Sequence, residues 1–250
     1  MTALPLSARA AIWASAVLAG RVEVEHARSR AHAGVTDVVG TLPEPGSWPP
    51  AGERVVLVAL PRPGSFSGMP RAPRPSLAAA LDAGECLVAP TVGGLLVPQL
   101  RSFGPPGDEG RLLTWTAHPA DPIPRHTVEA LDLRELGRAL AEALLEATSA
   151  LEAAGGIPWR AWEAHPRPDA QEAILPDGLP ARGLALLVQA ATVHALALDG
   201  LELEQLGPAL DAGTSTARSG ALRRLLDVAD DALVGATNVC AMVLAGWRPA

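Results

Sequence analysis

Leu133, Leu136, Leu140, Leu144, Ala147 and Leu151 recur at steps of three and four residues, while Arg138, Glu142, Glu146 and Glu152 fall outside that stripe. This spacing predicts an amphipathic helix that starts at Asp132 and stops at Gly155 and Gly156. Residues 181–198 carry only Arg182, Gln189, Thr192 and His194 as polar side chains. A helix so nearly apolar all round belongs in a core or a subunit interface. A last helix is predicted over 216–245, with Leu222, Leu225, Leu226, Ala229, Leu233, Ala236, Cys240, Val243 and Leu244 on its buried face and Gly246 as its stop. Near the start, Ser7 is a good N-cap. Ile12, Ser15, Leu18, Ala19 and Val22 then follow at helical spacing, giving one helix as far as Gly34.

The middle of the chain has a different period. Residues 54–60 (RVVLVAL) are almost continuously apolar and β-branched, the pattern of a strand buried on both faces. Residues 85–89 and 95–100 read as two more strands, with a turn at Gly93 and Gly94 between them. Pro98 lacks a donor, so its strand is expected at an edge or with a bulge. Residues 104–110 form a hairpin loop, and 111–117 (RLLTWTA) return with Leu113, Trp115 and Ala117 on one face. A further strand is expected over 35–39 and a short helix over 76–83. Sixteen of the 24 prolines lie between Pro43 and Pro124, which leaves the C-terminal part free to be helical.

The fold class that follows is α+β: an antiparallel sheet of about four or five strands, covered by an N-terminal helix and a C-terminal group of helices. The chain is expected to form a single domain over 1–250. Residues 1–131 supply the helix and sheet, and 132–250 the mainly helical part.

Composition narrows the function. The chain of 250 residues has 20 Arg and no Lys against 27 acidic residues, a net charge of −7. It has no Tyr and one Asn, a bias that a very GC-rich, actinobacterial-type genome produces. The acidic excess lies in the helical half, where 9 Arg face 16 acids; the half before it balances at 11 and 11. A nucleic-acid or anionic-membrane binder needs a dominant basic face, so neither partner is expected. No uninterrupted apolar run is long enough to span a bilayer, and the signal-peptide-like stretch from Arg9 to Ala16 is too short to be one. Cys86 and Cys240 have no CxxC neighbour and read as buried, reduced thiols in a cytoplasmic protein.

Candidate chemistry is sparse. Residues 61–75 (PRPGSFSGMPRAPRP) hold Arg62, Arg71 and Arg74 and no acid. Connections this long are functional or unstructured, and this one suits a lid or an anion-binding loop, with Phe66 and Met69 at its tip. His118, Asp121, His126 and Glu129 fall within twelve residues, but their spacing fits no metal signature and prolines hold them apart, so no metal is expected. His194 in its apolar helix needs a partner and is a candidate general base or a satisfied core residue. Trp159 and Trp162 could wall a ligand. Asp227, Asp230 and Asp231, at i, i+3 and i+4, read as a solvated charged face. Walker A, G-x-G-x-x-G, G-x-S-x-G and H-E-x-x-H patterns are absent, and no cofactor is expected.

Two functions follow. The first is a non-catalytic, self-associating protein, a homodimer or other homo-oligomer through the 181–198 helix, that binds a protein partner or a small ligand. The second is a small-molecule enzyme with the 61–75 loop as lid and His194, His118 or His126 as acid–base residue. An anionic ligand would meet Arg62, Arg71 and Arg74.

Overall fold

The computed structural model describes residues 4–40, 52–105, 107–154, 175–206 and 212–249. Their elements run α1 (Leu6–Leu18), α2 (Val24–Ala31), β1 (Asp37–Val39), β2 (Leu57–Arg62), β3 (Ser65–Ser67), α3 (Arg74–Ala83), β4 (Cys86–Val88), β5 (Leu95–Phe103), β6 (Gly110–His118), α4 (Arg125–Glu129), α5 (Leu133–Ala154), α6 (Ala181–Leu206) and α7 (Ala212–Leu244). The architecture is α+β. The sheet has six strands in the order β1-β6-β5-β4-β2-β3. It is mixed rather than antiparallel throughout, because β1 lies parallel to β6.

Both faces of the sheet are covered at β2 and β4, which explains the unbroken apolar run of β2. Val56, Val58, Leu60, Leu87, Leu113 and Trp115 belong to the core shared with α1, α5, α6 and α7. Val55, Leu57, Ala59, Cys86, Val88 and Val97 belong to a second core with α3 and the end of α7. Helix α7 packs against α5, α6, α1 and β2. Its contact with α6 is close: a Cβ on Gly183 would sit 2.8 Å from the Cys240 sulfur. Small residues, abundant in this chain, permit such approaches. The Asp132 carboxylate accepts the Arg134 N–H at 2.8 Å and caps α5, as its sequence position indicates.

Helix α6 shows one apolar side to α7 and leaves the other outside. Residues Leu186, Leu187, Ala190 and Val193 are buried, while Leu198 and Leu203 are exposed. By length and composition Ala181–Glu204 could cross a membrane, but part of it is core in this fold. Its continuation beyond residue 198 carries Asp199, Glu202 and Glu204, which makes it longer and more polar than the apolar pattern alone suggested.

The start of the chain departs from the expected single helix. Gly20 adopts φ +67° and ends the first segment, so α2 folds back. The Trp13 and His26 rings then meet edge-on at 5.5 Å. The residue capping α1 is Pro5; Ser7 lies inside the helix and is fully buried. Residues 61–75 are likewise no free loop. Arg62 ends β2, β3 pairs back on it from Leu60↔Ser67 to Arg62↔Ser65, and α3 starts at Arg74 with a proline in its first turn.

β2 is bonded on one edge by side chains. β3 is too short to reach Val56 and Val58. In its place the Ser15 hydroxyl accepts the Val56 N–H at 2.9 Å and donates to the Val56 carbonyl at 3.1 Å. Asn238 does the same one pleat along: its Oδ1 accepts the Val58 N–H at 2.8 Å and its Nδ2 donates to the Val58 carbonyl at 3.2 Å. The only asparagine in the chain thus completes a sheet edge from a helix, which is why a polar residue sits in so apolar a stretch.

β5 is interior, not an edge, but its β4 side is open for most of its length. β4 pairs only at Leu87↔Leu96 and Val88↔Leu95. Pro98, which has no N–H to offer, lies just past the end of that ladder. The gap this leaves beside residues 98–101 is the concavity described below.

Candidate functional site

The sheet and helices converge on Asp230, a fully buried residue of α7. Its Oδ2 accepts Arg62 Nε at 2.9 Å and its Oδ1 is 2.6 Å from His194 Nδ1. Two candidates from distant parts of the sequence therefore meet on a third residue that the sequence placed on a solvated face. Asp231 next to it is exposed, as expected there. The i, i+3, i+4 spacing was sound, but a carboxylate facing α6 and β2 is buried by both. Arg62 leans over Gly84, which has φ +71°, and a Cβ there would lie 2.9 Å from its Nη1. His194 Nδ1 is engaged by Asp230, and no described residue hydrogen-bonds Nε2.

Next to Gly84, the half-buried Glu85 accepts the Ser7 N–H on Oε2 at 2.7 Å. Burial pushes its carboxyl above the usual range, while the Ser7 hydrogen bond and the charges of His194 and Arg62 pull it back. Glu85 is also in the wall of the cleft at the open edge of β5, whose volume is about 680 Å³. This size suits a small organic ligand. Leu4, Leu6 and Arg9 line it from the α1 side, Asp82 and Ala83 from the end of α3, and Val97, Leu100 and Arg101 from β5. Arg111, at the start of β6, also lines it.

Arg9 is the unusual member. It is 3% exposed. Its Nε donates to the Ala31 carbonyl at 2.7 Å and Nη2 to the Ala33 carbonyl at 3.0 Å. Nη1 is buried with no partner. No carboxylate lies within ion-pair distance of it among the described residues; Glu85 acts on it only at longer range, and Arg111 opposes it. Burial lowers the pKa of this guanidinium. A buried cation without an anion is costly, and a bound anion would relieve it.

Beside Arg9, His32 is held neutral. Its Nδ1 donates to the Arg28 carbonyl at 3.0 Å, so Nε2 accepts the Trp115 indole N–H at 3.2 Å. Burial, with Arg9 and Arg28 adding like charge, brings its pKa down to about 4 from 6.5. The unfolded chain then takes up a proton between these values and the folded one does not. Stability from this group is complete above pH 6.5 and is lost as pH falls to 4, by about 3 kcal/mol. The fall in denaturation midpoint from pH 7 to 4.5 is expected to be clearly smaller in His32→Gln than in the parent; equal falls would contradict this.

The other sequence candidates do not join this site. His118 ends β6, paired with Leu95, and His126 is exposed on α4. Arg71 and Arg74 are exposed around the start of α3, and Phe66 is 51% exposed on β3, turned to solvent and not onto a cleft. Trp159 and Trp162 lie outside the described residues. Among the described residues no group of three or more His, Cys, Asp or Glu could hold a metal ion. Cys86 and Cys240 are free and buried, and burial pushes each thiol up to about 12, which leaves them inert as nucleophiles. The residues that sequence reasoning missed are Arg9, Glu85 and Asp230. Arg9 did carry a signal, a lone cation among apolar helix positions, but it resembled a leader peptide.

No curated protein and no solved structure matches the chain. Residues 7–130 match the model of the Rv1486c-like protein N-terminal domain, and residues 134–234 that of its C-terminal domain. The two matches meet where the sheet-forming part gives way to α5, and together they place this chain in the Rv1486c-like protein family.

Proposed function

We propose that the protein is a non-catalytic binding protein for a small ligand, which sits in the cleft at the open edge of β5. The observation that carries this reading is the convergence on one concavity of about 680 Å³ of a mixed polar and apolar lining and a buried guanidinium that keeps one nitrogen without a partner. Ligand sites combine apolar surface with a few placed polar groups. Self-association belongs to the same reading. The outward sides of the helices expose Leu145 on α5 and Leu198 and Leu203 on α6, an apolar surface suited to a second copy. The buried, unpaired cysteines suit a reducing, cytoplasmic setting. The charge of −7 disfavours nucleic acid.

A second reading, a small-molecule enzyme, is favoured by one observation: the 2.6 Å His194–Asp230 pair with Nε2 unoccupied, an arrangement that orients an imidazole as a general base. The 61–75 segment supplies Arg62 to that pair instead of a lid.

Native mass spectrometry of the purified protein, with a denatured control, tests the proposal. The expected spectrum shows about twice 25.7 kDa per particle, plus a small adduct that is lost on denaturation. A bare monomer, together with no response of cleft residues to any added small molecule, would overturn it.

A further inference from the structure

We infer that the ligand of the cleft is an organic monocarboxylate, with the carboxylate on Arg9 Nη1 and an apolar body along β5. This rests on the reading that the cleft is a ligand site and adds the chemical class. Three observations carry it. Arg9 is nine-tenths buried and more, lines the cleft, and keeps one nitrogen without a partner while its other two are fixed on the Ala31 and Ala33 carbonyls. The guanidinium is therefore held in place before any ligand arrives, and what it lacks is an oxyanion.

The second observation is charge. Arg9, Arg101 and Arg111 face Asp82 and Glu85 across the cleft, so the lining sums to 3 − 2 = +1. That balances one negative charge. A phosphate monoester, close to dianionic at neutral pH, would exceed it and meet two carboxylates. The third is the rest of the wall. Leu6, Ala83 and Leu100 contribute apolar patches to the lining that a free inorganic anion would leave empty.

Glu85 adds a pH dependence. The groups acting on it are the Ser7 N–H and Arg9 from α1, Arg62 from β2 and His194 from α6, with Asp82 and Arg111 in the same cleft. A carboxylate bound next to it disfavours its ionised form further, so binding is expected to tighten as pH falls.

Calorimetric titration of the full chain with octanoate, octan-1-ol and octyl phosphate tests the class. Octanoate is expected to bind at least tenfold tighter than either of the others. Arg9→Lys is expected to weaken octanoate at least tenfold, since an ammonium puts its three donors on one nitrogen and lacks the rigid fork that spans the two carbonyls and the ligand. Arg9 also ties α1 to the chain beyond α2, so Arg111→Gln, at an exposed position, serves as the second variant, with an expected loss of threefold or more. Glu85→Gln is expected to flatten the pH dependence. Equal binding of octanoate and octan-1-ol, tighter binding of octyl phosphate, or undiminished binding by a folded Arg9→Lys and by Arg111→Gln would overturn the monocarboxylate class. Octan-1-ol binding equally well in the cleft would do so while leaving the ligand-site reading intact. Absence of all binding, with no adduct in the native spectrum, would remove both.

Discussion

Asp230→Ala is expected to destabilise the protein by about 3–5 kcal/mol, the effect of removing one partner from a buried ion pair. Asp230 is fully buried and answers both Arg62 and His194. Without it a guanidinium and an imidazole lose their acceptor together, and three elements lose their shared anchor: β2, α6 and α7. Arg62 is about a quarter exposed and can turn partly to water, which places the loss at the lower end of that range. Asp230→Asn keeps the shape and a hydrogen-bond acceptor and is expected to cost less. Asp231→Ala, one residue on and exposed, is expected to lie within about 0.5 kcal/mol of the parent. Denaturant unfolding of the three variants at pH 7 reads this order. An Asp230→Ala loss under about 1 kcal/mol would show that the network contributes little.

Asn238→Ala is expected to cost about 3 kcal/mol. The amide fills the place of a missing strand by satisfying both the N–H and the carbonyl of Val58. Each buried backbone group left unmade costs about 1–3 kcal/mol. Asn238→Leu should be no better, because volume is not what the site needs. Amide hydrogen exchange adds a local reading: protection of Val58 is expected to fall in Asn238→Ala more than protection of Val88 on β4. Uniform loss across the sheet would instead mean that the amide acts through global packing alone.

Much of the fold was legible because its signals are local. The 3-4-4-3-4 leucine and alanine spacing of α5, its Asp132 cap, the unbroken run of β2 and the Gly93–Gly94 turn depend on neighbours in sequence. Both glycines of that turn do take positive φ, +81° and +107°. What was missed depends on distant partners. A glycine at position 20 inside a helical pattern costs about 1 kcal/mol against alanine in a helix, and here it ends one. Residues 61–75 looked like a loop because prolines hide a short hairpin, whose β3 has three residues. The β1 strand was expected, but nothing local says that it pairs parallel to β6, with four other strands between them in the chain.

The site was less legible than the fold. His194 and Arg62 were both singled out, yet Asp230, which joins them, was assigned to solvent because helical spacing says which side chains share a face and not what covers that face. Arg9 and Glu85 belong to distant parts of the sequence and come together only because β4 stops short and α1 and α3 close around the gap. Pro98 pointed to an edge or a bulge, but β5 is interior and pairs without interruption along β6; only its β4 side stops short. The inference to a cleft needed the register of β4 on β5.

The claim that the open edge of β5 is a ligand site is tested most directly by amide chemical-shift mapping of the folded protein with octanoate. Saturable shifts are expected, confined to Ala33 and Val35 beside α2, Ala79 and Ala83 on α3, and Val97 and Leu100 on β5, with residues of α5 unmoved. Shifts scattered over the surface, or gathered on Leu198 and Leu203 of α6 with the cleft silent, would contradict it.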